Sequence, residues 1–185
     1  MLRLAKEIAN TEAEGPGRRY AIWVQGCPMR CPGCCNPGYL PFEGGYEATV
    51  EEVLERILAV PGLEGVSFLG GEPMTQAPEL QKLAEQVRAR GLTVMVFSGF
   101  TMKEIREDPH KKDLLGHIDL LVDGRYNKLQ PDTQRRWIGS RNQGLHFLTN
   151  RYSPLDPRFS ESNTVEIRLT PKGISINGWP HESLL

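Results

Sequence analysis

The sequence predicts an α/β protein in which a parallel sheet is covered by helices, and three observations carry that prediction. Short apolar runs alternate with amphipathic stretches in the order strand, loop, helix, strand, helix, strand, helix, strand. The runs are continuously apolar, as strands buried on both faces must be. Each chemically suggestive motif stands just after a run, and ligands gather at the C-terminal ends of parallel strands in barrels and open sheets alike. The motifs are therefore expected to share one rim.

The first run, Tyr20-Ala-Ile-Trp-Val24, is rich in aromatic and β-branched residues and reads as a strand. A Pro- and Gly-rich cysteine loop follows. Thr49 and Glu52 form a capping box for a helix whose face is Val50, Val53, Leu54, Ile57 and Leu58, stopped by Pro61-Gly62. Gly65-Val-Ser-Phe-Leu69 is the second strand and ends in Gly70-Gly71-Glu72-Pro73. Ala77 to Arg90 is an amphipathic helix with Leu80, Leu83, Ala84 and Val87 on one face and Gly91 as its stop. Leu92 to Phe97 is the third strand, ending in Ser98-Gly99. Thr101 to Glu107 reads as a helix broken by Pro109. Ile118 to Val122 is the fourth strand, ending in Asp123-Gly124. Residues 125 to 163 are polar and irregular. Val165–Leu169 and Ile174–Ile176 then read as a closing hairpin around Pro171-Lys172-Gly173.

Composition bounds the function. The 185 residues suit one domain, residues 1–185, with a core that needs no staples. Lys and Arg total 22 and Asp and Glu 23, so the formal net charge of −1 offers nucleic acid no long-range attraction. No stretch approaches the roughly 20 apolar residues of a membrane span, so no membrane association is expected. The start, Met1-Leu-Arg-Leu-Ala-Lys-Glu7, lacks the apolar centre of a signal peptide, and a cytoplasmic location is expected.

All four cysteines lie within nine residues: Cys27, Cys31, Cys34 and Cys35. A disulfide framework spreads its cysteines to close long loops, so this clustering points to metal or redox chemistry. The loop 25–36 supplies three thiolates at spacing x3 and x2. A four-iron cubane wants four ligands, and three leave one iron open to a substrate or cofactor. A structural zinc knuckle is the other use of such a loop, although no convincing fourth ligand is present. Cys35 adjoins Cys34 and is expected to be a small buried hydrophobe, not a ligand.

Cys27-Pro-Met-Arg-Cys31-Pro-Gly-Cys34 resembles the CxxxCxxC motif of the radical S-adenosylmethionine (SAM) enzymes, and Gly70-Gly71-Glu72-Pro73 resembles their GGEP motif. The likeness extends to Gly15-Pro-Gly-Arg18-Arg19, Gln25-Gly26, Asn36, Ser98-Gly-Phe-Thr101, Asp119–Gly124, Gly139–Gln143 and, more faintly, Ile176–Pro180. Together these look like the anaerobic ribonucleoside-triphosphate reductase activating group. Gly33 departs from the aromatic usual in the wider superfamily but agrees with this group.

The resemblance implies a partial, open (β/α)6-type barrel. It implies a [4Fe–4S] cluster on Cys27, Cys31 and Cys34, and SAM bound at the open iron. Reductive cleavage of SAM would give a 5′-deoxyadenosyl radical that installs a glycyl radical on a partner enzyme. The electron donor would be a protein such as flavodoxin or ferredoxin. Gly70, Gly71, Glu72 and Pro73 would hold the SAM amino group; alone they would read as an ordinary turn. Ser98 and Gly99 would face the ribose or carboxylate, or else merely begin a helix. Gly33 and Asn36 would lie near adenine or cluster, though turn chemistry also suits them. Asp123, Ser140, Asn142 and Gln143 are further candidates for the rim. Arg18 and Arg19 read as solvated charges or as contacts to a partner, and Trp23 and Trp137 read as core. The rival functions are a stand-alone radical SAM enzyme for a peptide or small molecule, and a non-enzymatic zinc or binding protein.

Overall fold

The computed structural model describes residues 1–170 and 173–178. In chain order the elements are β1 (Leu2–Thr11), β2 (Arg19–Val24), β3 (Tyr46–Ala48), α1 (Val50–Leu58), β4 (Gly65–Gly70), α2 (Ala77–Ala89) and β5 (Thr93–Phe97). They continue with α3 (Met102–Glu107), α4 (Pro109–Leu115), β6 (Leu120–Asp123), β7 (Gly144–Phe147), β8 (Val165–Thr170) and β9 (Gly173–Gly178). Seven strands form a mixed sheet in the order β3-β1-β2-β4-β5-β6-β7, and β8 and β9 form a separate antiparallel ribbon.

The four apolar runs of the sequence are β2, β4, β5 and β6, and they pair in parallel. Antiparallel strands flank them: β1 and β3 on one side, β7 on the other. Among the described residues the parallel strands thus number four, where six β/α units were expected, and the sheet keeps two edges instead of closing. The N-terminal strand β1 is absent from the sequence reading, as are β3 and β7. The helix α3 ends at Glu107 as expected, with Asp108 extended ahead of Pro109. Pro109 then also starts a further helix, α4, whose first turn is capped by Asp108 accepting from the Lys111 N–H at 3.1 Å. The closing hairpin is β8–β9. Its turn residues Pro171 and Lys172, and Trp179 and Pro180 of the terminal motif, lie outside the described residues.

Alternation along each strand divides the interior. Tyr20, Ile22 and Val24 of β2, Val66 and Phe68 of β4, and Val94 and Val96 of β5 face α1, α2, α3 and α4 in the main core. Ala21, Trp23, Leu69, Met95 and Val122 face the other way, into two smaller clusters. Helices therefore cover one face of the sheet, and the segment after β6 covers part of the other. Among the described residues no helix is long and apolar enough to cross a membrane.

Arg19 corrects an expectation. It is neither solvated nor free for a partner: its guanidinium is 0% exposed at the start of β2. It donates to Ser67 Oγ at 2.7 Å, Thr93 Oγ1 at 3.1 Å, Tyr152 Oη at 3.2 Å and the carbonyls of Pro16 and Val66. Arg18 is exposed, with one bond to Asn10 Oδ1 at 3.2 Å.

Candidate active site

The C-terminal ends of the parallel strands open on a cavity of about 410 Å³. The cysteine loop forms one wall. It leaves β2 at Gly26 and returns to its own base, where the Gly26 N–H donates to Tyr39 O at 2.9 Å and the Cys27 N–H to Leu40 O at 3.0 Å. The Gln25 side chain latches that base by donating to Pro41 O at 2.7 Å.

The Gly70-Gly71-Glu72 turn sits directly behind the loop. A Cβ on Gly71 would stand 2.2 Å from Gly26 O, and one on Gly70 would stand 2.6 Å from Val24 N. Only glycine allows this approach, and it lets the Gly71 N–H donate to Val24 O and the Glu72 N–H to Gly26 O, each at 2.8 Å. Pro73 is buried behind the turn and opens a short 3₁₀ segment.

Glu72 is 1% exposed and lines the cavity. Its carboxylate accepts from the Met74 N–H at 2.9 Å, Ser98 Oγ at 2.8 Å and the Gly99 N–H at 2.7 Å. The ends of β4 and β5 are thereby tied together, and the Ser98 N–H donates on to Val122 O of β6 at 2.8 Å. Burial nevertheless pushes the Glu72 carboxyl up to about 7.

Cys27, Cys31 and Cys34 all line the cavity and none is in a disulfide. Burial raises the Cys27 thiol above its ordinary value. A hydrogen bond with Cys35 lowers the Cys34 thiol, and the Asn36 N–H points at Cys34 Sγ from 3.4 Å. Among the described residues no three Cys, His, Asp or Glu side chains converge as a single ion would need. A cubane is ligated at separate corners, so three thiols around a cavity suit it better than they suit a zinc knuckle.

The cavity brings together the three cysteines, Asn36, Gly70, Gly71, Glu72, Ser98 and Gly99. Gly33, Pro73, Asp123, Ser140 and Asn142 do not line it. Gly33 faces Lys128 and Tyr126. Asp123 braces its surroundings, accepting from the Met102 N–H at 2.6 Å and the Gly144 N–H at 3.2 Å and bonding His146 Nε2 at 2.9 Å. Ser140 Oγ accepts from the Asn127 N–H, and Asn142 Nδ2 donates to Arg125 O. Cys35 is exposed, contrary to the expectation of a buried hydrophobe. Trp23 and Trp137 are buried as expected, but both also line the cavity.

The sequence reading gave no site role to Lys6, Glu14 and Asn177, which also line the cavity. Lys6 Nζ lies 5.3 Å from the Trp23 ring centroid. Glu14 Oε1 accepts from the Gly178 N–H at 2.7 Å, and burial raises its carboxyl. No motif announces Lys6 or Glu14, and Asn177 falls only within the faint terminal likeness Ile176–Pro180. β1 and the ribbon bring them in from the two ends of the sequence.

Residues 13–146 match the family described as a 4Fe-4S single cluster domain. The anaerobic ribonucleoside-triphosphate reductase-activating protein of Vibrio cholerae is 32% identical over 144 residues, covering 73% of this chain and 91% of that protein. The protein of that name from Escherichia coli K12 is 30% identical over 142 residues, covering 72% and 91%. That of phage T4 is 30% identical over 137 residues, covering 71% and 85%. The crystal structure of QueE from Escherichia coli aligns with 54% of this chain and 53% of its own, at 20% identity and a TM-score of 0.46, too slight a likeness to argue from.

Proposed function

This chain belongs to the 4Fe-4S single cluster domain family and to the family of anaerobic ribonucleoside-triphosphate reductase-activating proteins, and from that premise we propose that it is a radical SAM activase. It installs a glycyl radical on an anaerobic ribonucleoside-triphosphate reductase. One observation carries the reading: the three cysteines of the x3, x2 loop open on the same cavity as the Glu72 turn. Cys27, Cys31 and Cys34 would hold a [4Fe–4S] cluster, a donor set with one corner left for SAM.

The bound cluster and SAM supply one-electron cleavage of the sulfonium bond and a 5′-deoxyadenosyl radical. The chain's own residues bind, orient and shield. The Glu72 carboxylate, fixed by Ser98 and Gly99, offers an anionic acceptor to the SAM ammonium. Asn36 presents an amide beside the cysteine loop. Trp23, Leu69, Phe97 and Val122 form an apolar lining that keeps water from a reactive species. Gly33, Pro73, Asp123, Ser140 and Asn142 act at one remove, by shaping the loops that frame the rim.

The sheet is read as a shortened radical SAM barrel, with helices outside and the cavity against the inner face. Residues 1–185 work as one domain in the cytoplasm, where the thiols stay reduced. A reduced flavodoxin or ferredoxin would supply the electron.

Anaerobic incubation of the iron-loaded chain with SAM, a reductant and the reductase of the same organism should give the doublet of a glycyl radical by electron paramagnetic resonance. SAM cleavage without that signal would leave the chemistry and remove the activase assignment.

A further inference from the structure

The β8–β9 ribbon is inverted relative to the usual amphipathic pattern. Its polar face looks inward. Glu166 accepts from the Glu12 N–H at 2.7 Å, Asn177 Nδ2 donates to Thr11 Oγ1 at 2.9 Å, Lys6 Nζ donates to Ser175 Oγ at 3.3 Å, and Arg168 donates to Asn10 O. Its apolar face looks outward. Ile167 pairs with Ile176 and Leu169 with Ile174 across the two strands. These four are 62%, 48%, 83% and 69% exposed, in that order, and none belongs to a core cluster.

A two-stranded ribbon is marginal in water, and a contiguous exposed apolar face marks an interaction site. This ribbon also lies beyond residues 13–146, the span the family match covers. Its face runs without a break into the cavity: Ile176 is half-exposed on the apolar face and lines the cavity together with Asn177 and Gly178. Asn177 is 5% exposed, and its Oδ1 has no hydrogen-bond partner among the described residues.

We propose that the outer face of the β8–β9 ribbon is the docking surface for the reductase, placing the glycine-bearing segment of that protein at the cavity mouth. This rests on the activase reading. The occupant follows from the continuity of face and cavity. A protein substrate must keep its body outside while a short main-chain segment enters, so it needs an apolar seat that borders the opening. A small-molecule substrate would leave that seat uncovered. Apolar side chains of this kind form the water-excluding centre of protein interfaces.

The test replaces Leu169 and Ile174, neither of which lines the cavity, in one Leu169→Lys, Ile174→Lys variant. The 5′-deoxyadenosine released without reductase should stay within twofold of the native chain. The reductase concentration giving half-maximal glycyl radical should rise at least tenfold. Hydrogen–deuterium exchange of the unaltered chain supplies the second reading: amides of 165–169 and 174–178 should slow when the reductase is added. An unchanged concentration dependence, or amides already slow in the free chain and unaffected by reductase, overturns the proposal while the activase reading stands. If the variant fails to fold, the exchange result decides. A native chain that self-associates through this face and keeps that state with reductase present also overturns it. No glycyl radical from the native chain refutes the activase reading, and the docking proposal falls with it.

Discussion

Glu72 is held by three donors in a place with little water, and desolvation wins over the hydrogen bonds. Its folded-state value of about 7 lies above the ordinary 4.5, so the folded chain binds this proton more tightly than the unfolded chain does. Below pH 4.5 the group is neutral in both states and costs nothing. Between 4.5 and 7 the unfolded chain releases the proton first, so stability falls as pH rises and then levels off above 7. The shift corresponds to about 3 kcal/mol. Urea titrations of the cluster-free protein should show the native chain losing that amount across the window, relative to Glu72→Gln, whose side chain does not titrate. Parallel pH profiles for the two proteins would refute this account. The motif made Glu72 legible in the sequence; its hold on Ser98 and Gly99 was not, because two contacts separated by 26 and 27 residues arise only when two strand ends are neighbours.

The elements legible in the sequence are the ones buried on both faces. β2, β4, β5 and β6 show as apolar runs because neither face meets water. β1 was not legible. Leu2 and Leu4 alternate, but the pairing with β2 shifts between Leu4 and Lys6 and again between Ile8 and Thr11, which breaks the period of two. Its Ala, Lys and Glu also favour helix. β7 is Gly-Leu-His-Phe, half-buried throughout, with no alternation to read. Asp108 and Pro109 both end α3 and start α4, and the sequence showed the stop but not the capped start that follows it. Arg19 looked like a surface charge because its neighbour Arg18 is one. Its true role is to join β2 to β4, β5 and Tyr152 at the end of the sheet away from the cavity. Arg19→Met would remove the guanidinium donor from the buried Pro16 and Val66 carbonyls and one partner each from the Ser67, Thr93 and Tyr152 hydroxyls, which keep their bonds to Glu14 O, Glu64 O and Glu64 Oε1. A buried group left without a partner costs about 1–3 kcal/mol. Thermal unfolding should show a loss of at least about 3 kcal/mol, with iron binding by the folded fraction retained. A variant as stable as the native chain would show that the guanidinium contributes nothing net.

At the scale of the whole molecule, the cavity lining has parts of different origin. The cysteine loop and the Glu72 turn come from the parallel strands and carry the motifs. A further part of the lining comes from β1, the segment after it and the ribbon, brought together from both ends of the chain. Sequence motifs disclosed the first part because its chemistry fixes residue types and spacing. They touched the second only through the faint likeness at Ile176–Pro180, and Lys6 and Glu14 are common residues made special by placement. The central claim is that the three thiols and the Glu72 turn form one site for radical SAM chemistry. Mass spectrometry of 5′-deoxyadenosine after anaerobic reduction of the iron-loaded chain with SAM tests it most directly. The native chain should form 5′-deoxyadenosine, more of it with the reductase present, and Cys31→Ala should form none. A fully loaded native chain that leaves SAM intact under reduction, or a Cys31→Ala variant that cleaves it equally well, would contradict the account.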